Sequence, residues 1–286
     1  MPHPIYGKIG LLNNGGGSKG AWQAGALCAW KDHGINYDSI YGASVGSLNG
    51  LLVHQGDYDK MLNLWMSIKN SDVYNWNPLR LLNSLYDSKP LLNLIKSVVD
   101  IPKLRANPNK FHISSTNFST WDPYLAEISD LKDDEIPQML WASASPPIYF
   151  PPVTFRGQTL VDAGVLNNYC ISEAINNDMD TLVVLSFANS SPRVPNNIFD
   201  CLAETLSVAT YGYFKREIES VTKINQVIKE CSCINKEKSI KLVIIKPDKA
   251  LDIPLLDFSY KNIDRKALFE SGYNLARKVL QDELPF

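Results

Sequence analysis

No stretch of this chain approaches the ~20 consecutive apolar residues that a membrane helix needs. Its opening, Met1-Pro2-His3-Pro4-Ile5-Tyr6-Gly7, has neither the charged region nor the apolar stretch of a secretory signal. No sign of charge prevails: 28 lysines and arginines stand against 30 aspartates and glutamates, a formal charge of −2. A global field that would draw nucleic acid or an anionic membrane is therefore excluded. These absences lead us to expect a soluble, cytoplasmic protein with no nucleic-acid partner, meeting a membrane only at its surface.

Cysteine is sparse and odd in number, with Cys28, Cys170, Cys201, Cys231 and Cys233. The irregular spacing speaks against a disulfide framework and for free thiols in a reducing compartment. Cys231-Ser232-Cys233 has a metal-like look. Yet the four histidines all lie between His3 and His112, and no second cysteine pair exists, so no metal site is expected.

What is present suits a globular fold. Apolar residues make up 45% of the 286 positions, an ordinary share for a chain with a real core. Lys8–Leu12 reads as a strand running into a glycine-rich loop, and 21–33 as a helix stopped by Gly34. Asp38–Tyr41 reads as a second strand, ending at another glycine turn, and 45–54 as the helix after it. Strand, glycine turn and helix thus occur twice in succession, which argues for a parallel α/β sheet. Further strands are expected at 111–115, 181–187 and 240–245, and a hairpin at 153–161 turned around Arg156-Gly157-Gln158. Helices are expected at 136–145, over an apolar rhythm between 198 and 228, and at 262–280. Residues 72–108 are rich in leucine and broken by Pro78, Pro90 and Pro102. They read as a helical connection packed on the sheet, or as a cap over a site. No internal repeat or linker divides the chain, so one domain over 1–286 is the simplest account.

Three motifs carry chemistry. Gly42-Ala43-Ser44-Val45-Gly46 is the only G-x-S-x-G in the chain. A nucleophilic serine must stand proud of a tight strand-to-helix turn, and glycines on either side let the neighbouring backbone pack. The helix that begins there points its positive end at the serine. Gly15-Gly16-Gly17-Ser18-Lys19-Gly20, also between a strand and a helix, offers several backbone N–H groups to an anion. It fits either a dinucleotide cradle, through Gly15, Gly17 and Gly20, or an oxyanion hole. A Walker loop fails, because Lys19 precedes the last glycine and Ala21 stands where serine or threonine is required. Leu160-Val161-Asp162-Ala163-Gly164 ends an apolar strand in a carboxylate, where either a desolvated base or a turn-ordering aspartate belongs.

The histidines discriminate. None follows His112, so the serine–acid–histidine order of an α/β-hydrolase cannot be built on Ser44 and Asp162. His33 and His54 fall at helix ends, where capping is the plain role, and His112 falls in a strand as a core residue. A carboxylate that takes the serine proton directly is the economical alternative.

The ordered set resembles the patatin-like phospholipases: a glycine-rich loop, then G-x-S-x-G, then a later aspartate–glycine motif. Gly20-Ala21-Trp22-Gln23-Ala24-Gly25 looks like that family's first helix. Ala142 to Pro147 and Phe150 to Val153 look like the stretch leading to its aspartate, and Asp162 to Asn168 like its aspartate loop. The likeness extends to Tyr86 to Leu91 and the closing helix. It implies a three-layer α/β/α fold around a mostly parallel sheet, with 72–108 as a candidate helical cap. It implies a serine lipid acyl hydrolase, of phospholipase A or lysophospholipase type, working through a Ser44–Asp162 dyad and an acyl-enzyme. The oxyanion would be held by backbone N–H groups of Gly15, Gly16, Gly17 and Ser18, and Gly20, Gly42, Gly46 and Gly164 would be the motif glycines. Acyl lipids would be the substrates, a membrane surface the peripheral partner, and no metal or organic cofactor is implied. The oligomeric state stays open.

Two positions depart from the family's pattern: Ala163 replaces the usual glycine after the aspartate, and Tyr169 stands where proline is frequent. Alanine at 163 would be strained if the loop requires positive φ there. A lipid-binding protein of this fold with weak or no catalysis is the alternative reading, and a nucleotide-binding oxidoreductase is another. The 76–95 segment and the apolar face of the 199–228 helix are the expected walls of a lipid groove.

Overall fold

The computed structural model describes residues 3–76, 84–188, 195, 198–230 and 239–285. Pro78, Leu79, Leu81, Leu82, Cys231, Cys233 and the side chains of Phe199, Leu202 and Leu206 fall outside the described residues.

The first two strand–helix pairs set the frame. β1 (Ile9–Asn13) and β2 (Ser39–Ala43) are buried at every position, the mark of strands covered on both faces. They feed α1 (Gly20–His33) and α2 (Val45–His54). Next come α3 (Tyr58–Ser67), the short α4 (Asn70–Val73), the two-residue strands β3 (Asn75–Trp76) and β4 (Tyr86–Asp87), α5 (Lys89–Val98) and α6 (Ile101–Ala106). β5 (Lys110–Asn117) and β6 (Asp122–Glu127) precede α7 (Glu135–Ser143), and the hairpin β7 (Val153–Phe155) and β8 (Gln158–Val161) leads to α8 (Ile171–Asn176). The chain closes with β9 (Thr181–Leu185), α9 (Ile198–Glu230), β10 (Lys241–Ile245) and α10 (Arg265–Glu283).

The main sheet runs β10-β9-β1-β2-β5-β8-β7, with β6 also on β5. The five strands from β10 to β5 are parallel, whereas β6, β7 and β8 are antiparallel additions. Successive side chains of a strand face opposite ways, and the core divides accordingly. Leu11, Ile40 and Val183 join a cluster with α1, α2 and α10, while Leu12, Tyr41 and Val184 join one with α8 and with Phe214 and Val221 of α9. Two helical layers thus sandwich one mostly parallel sheet.

Local chemistry accounts for the ends. Arg156 and Gly157 both take positive φ, as a two-residue hairpin turn requires. Three elements had no expectation from the sequence: α3, β6 with Pro123 inside it, and the six-residue α8. Among the described residues no helix is long and apolar enough to cross a membrane.

Candidate active site

Ser44 sits between the end of β2 and the start of α2 with φ 52° and ψ −128°, a strained conformation that turns its side chain outward. The flanking glycines allow it. A Cβ on Gly42 would lie 2.5 Å from the Ser47 Cα, and one on Gly46 would lie 2.0 Å from the carbonyl oxygen of Asn13. The turn is held by the Ser47 N–H and hydroxyl, which both donate to the Ser44 carbonyl at 2.9 and 2.7 Å. The Ser44 N–H donates to Ser143 Oγ at 3.0 Å.

Asp162 ends β8. Its Oδ1 accepts the Gly164 N–H at 2.8 Å, and its own N–H donates to the Ser145 carbonyl at 2.9 Å. The Ser44 hydroxyl lies close enough to this carboxylate to favour its charged form. Burial pushes the carboxyl up to about 6, against the smaller opposing pulls of the Ser44 hydroxyl and the Gly164 N–H. Ala163 begins a single 3-10 turn, is fully buried and is not among the residues with positive φ. The strain that a glycine-requiring loop would impose there is thus absent. Tyr169 packs its ring 4.4 Å from that of Phe214 and so ties α9 to the sheet.

The glycine loop lies beside this pair. The Gly15 N–H is taken by Asn168 Oδ1 at 2.8 Å, and the Ser18 N–H by the Leu255 carbonyl at 2.9 Å. These two expected oxyanion donors are therefore engaged elsewhere. The N–H groups of Gly16 and Gly17 have no acceptor among the described residues.

Ser44, Asp162, Gly15, Gly16, Gly17, Gly164 and Asn168 all line one cavity of about 920 Å³. All four histidines are described and none lines it. His33 bonds the Leu284 carbonyl at 2.8 Å, and His112 stacks on Tyr41 at 4.6 Å. His54 does not cap its helix: it is buried between Tyr37 and Phe111, and burial holds it down to about 4. Asp38 Oδ2 accepts the Ile9 N–H at 2.8 Å, at the end of β1 remote from the glycine loop. It cannot serve there as the ribose ligand of a dinucleotide site.

A family profile described as patatin-like phospholipase matches residues 12–175. The chain belongs to that family. Lysophospholipase NTE1 of Scheffersomyces stipitis is 25% identical over 203 residues, covering 68% of this chain and 13% of that protein. Its counterpart from Eremothecium gossypii is 27% identical over 206 residues, with the same coverage. The chain thus spans only about 13% of the length of these relatives. The crystal structure of VipD from Legionella pneumophila superposes on 99% of this chain and 68% of its own, with a TM-score of 0.51 and 14% identity. That likeness is one of fold.

The patatin-like cavity shares part of its walls with the expected ones: Tyr86, Leu91, Leu94 and Ile95 of the 76–95 segment line it. Leu91, Leu94, Ile95 and Val98 of α5 line it, so this part of 72–108 is both a packed connection and a wall. Trp76 does not line it and is 59% exposed. Among the described residues α9 contributes Glu204, Ser207, Thr210 and Tyr211 to the lining, while Phe214 and Val221 pack on the sheet. The 250–258 segment supplies a further wall that carried no recognisable pattern.

Proposed function

We propose that this patatin-like chain is a serine lipid acyl hydrolase that cleaves carboxylic esters of acyl lipids. The observation that carries the reading is the pairing of Ser44, on its strained elbow, with the buried Asp162 carboxylate at the wall of a largely apolar cavity. Ser44 Oγ attacks the ester carbonyl while Asp162 takes its proton. The Gly16 and Gly17 N–H groups and the positive end of α2 stabilise the oxyanion. Collapse expels the alcohol, which receives the proton from Asp162. The same carboxylate then draws a proton from water as its oxygen attacks the acyl carbonyl; collapse breaks the acyl–Oγ bond, the fatty acid leaves, and Ser44 Oγ takes the proton back from Asp162.

The substrate class is phospholipase A or lysophospholipase-like, in keeping with the names of the NTE1 relatives. The whole of 1–286 acts as one patatin-like unit that meets lipid at a membrane surface, with the described part of 72–108, chiefly α5, roofing the apolar side. Labelling with a fluorophosphonate probe tests this. Wild type must label, Ser44→Ala must not, and Asp162→Asn must label far more slowly. Labelling that survives Ser44→Ala would overturn it.

A further inference from the structure

Gly15 opens the glycine loop and is packed from two sides. A Cβ there would lie 2.7 Å from the Ser44 Cβ and 2.7 Å from Asn168 Oδ1. The peptides that meet at Gly15 are held by side-chain amides from distant parts of the chain. The Asn14–Gly15 peptide is gripped at both ends: its carbonyl accepts from Gln23 Nε2 at 3.0 Å, and its N–H donates to Asn168 Oδ1 at 2.8 Å. The Gly15–Gly16 peptide is gripped at its carbonyl, which accepts from Asn168 Nδ2 at 3.4 Å.

Both amides rest on firm supports. Gln23 is wholly buried on α1, and its Oε1 accepts Asn49 Nδ2 at 2.9 Å. Asn49 Oδ1 in turn accepts the Trp65 indole N–H at 2.8 Å. Asn168 follows Asn167, whose carbonyl accepts from Ser114 Oγ at 3.1 Å and whose Nδ2 donates to Glu173 Oε1 at 2.6 Å. Gly15-Gly16-Gly17 has no side chain with which to fix itself, and glycine backbone is the freest of all. A planar trans peptide points its N–H opposite to its carbonyl. Holding the Gly15 carbonyl therefore sets the direction of the Gly16 N–H, which has no acceptor among the described residues.

Resting on the hydrolase reading above, we propose that Gln23 and Asn168 are positioning residues for the oxyanion loop. Together their amides fix the peptides on either side of Gly15 and so aim the Gly16 N–H at the oxyanion formed on Ser44. Donors aimed in advance cost no reorganisation when the charge develops. Asn168 lines the cavity and Gln23 does not, so Gln23 acts on the reaction only through the loop.

The test uses the full chain with Gln23→Met, Asn168→Ala and the double variant. Gln23→Met keeps the side-chain volume and leaves Asn49 Nδ2 its bond to the Gly20 carbonyl at 3.0 Å. Thermal melts establish which variants are folded, and one folded single variant suffices. On a soluble ester each single variant lowers kcat about tenfold to a hundredfold with KM nearly unchanged. The double variant loses less than the product of the two, because both amides hold one peptide. Inhibition separates aim from binding. An alkyl trifluoromethyl ketone takes Ser44 Oγ onto its carbonyl carbon, with the proton passing to Asp162 and the carbonyl oxygen becoming the oxyanion. The methyl ketone of the same chain serves as the reference for binding alone. The fluoroketone must weaken by the factor that kcat loses, and the methyl ketone must not weaken. An unchanged kcat, or equal weakening of both ketones, overturns the proposal and leaves the hydrolase reading intact.

If wild type turns over no ester, the hydrolase reading fails, and hydrogen exchange reads the brace by itself. In Gln23→Met the Gly15 N–H keeps its Asn168 acceptor, yet it must exchange faster than in wild type, while the amides of α1 and α2 do not change. Unchanged exchange at Gly15 overturns the brace.

Discussion

Ser143 holds Ser44 from behind: its buried Oγ accepts the Ser44 backbone N–H at 3.0 Å. Two residues on, the Ser145 carbonyl accepts the Asp162 N–H at 2.9 Å. The C-terminal end of α7 thus grips both members of the pair and sets their separation. Ser143 does not line the cavity, so its loss leaves lipid binding alone. Ser143→Ala strands a part-buried donor at a cost of about 1 kcal/mol or somewhat more. Since that donor belongs to the strained serine, kcat falls about tenfold to a hundredfold with KM nearly unchanged, and steady-state kinetics on a soluble ester reads both. An unaltered kcat would show that the elbow is held without Ser143.

The acidity of Asp162 sets a pH profile. The carboxyl must be ionised to take the Ser44 proton, and burial has pushed it up to about 6. Activity is therefore near its plateau at neutral pH and drops about tenfold per unit of pH below 6. The limb belongs to Asp162 if kcat/KM, measured on an ester with no ionisable group, bends near that value. Activity that persists unchanged well into acid would mean that the base is a different group.

The same shift makes Asp162 a burden on the fold. Its folded-state value lies above the unfolded carboxylate value of 3.8, so the native state binds the proton more tightly. Its contribution to stability is then lost as pH rises through the window from about 4 to about 6, and the full cost, roughly 3 kcal/mol at most, is present at neutral pH. Asp162→Asn keeps an acceptor for the Gly164 N–H but carries no charge. It should abolish turnover while raising Tm by ~2 °C or more at neutral pH, with the gain shrinking below pH ~4. A variant that is both inactive and less stable would contradict this.

The parts of the site that could be read in the sequence are those whose chemistry is local. Glycines around Ser44 and a carboxylate ending an apolar strand are legible because the elbow and the strand end are built from adjacent residues. Asn168 and Ser143 were not legible as partners. The Asn168 amide meets Gly15 across 153 positions, and Ser143 meets Ser44 across 99, distances over which a polar residue carries no periodic mark. The same holds for the fold. Strands buried on both faces read clearly, while β6, a strand with Pro123 inside it, carries no strand pattern in the sequence. Of the described residues in the α9 rhythm only Val221 is buried, whereas Ala209 and Ile224 are exposed, because periodicity reports an apolar stripe and not whether anything covers it. Ala163 was legible as a departure, yet its effect depended on a φ that only the 3-10 turn after Asp162 sets.

Two glycines in helices separate propensity from packing. On propensity alone, alanine stabilises a helix over glycine by ~1 kcal/mol. Gly212, within α9, has nothing within 4 Å of an added Cβ. Gly212→Ala should therefore realise that gain and raise Tm by about 2–4 °C. Gly46, in the first turn of α2, would bring its Cβ to 2.0 Å from the Asn13 carbonyl oxygen and 2.7 Å from that of Asn14. Relief requires moving backbone at the end of β1, where the glycine loop begins, so the sign reverses. Gly46→Ala should cost about 3 kcal/mol, lower Tm by about 6 °C or more, and reduce kcat by displacing the Gly16 and Gly17 N–H groups. Thermal melts of the two variants side by side, with esterase rates, decide the matter. If both alanines stabilise the protein, the close approach of β1 to the serine elbow is wrong.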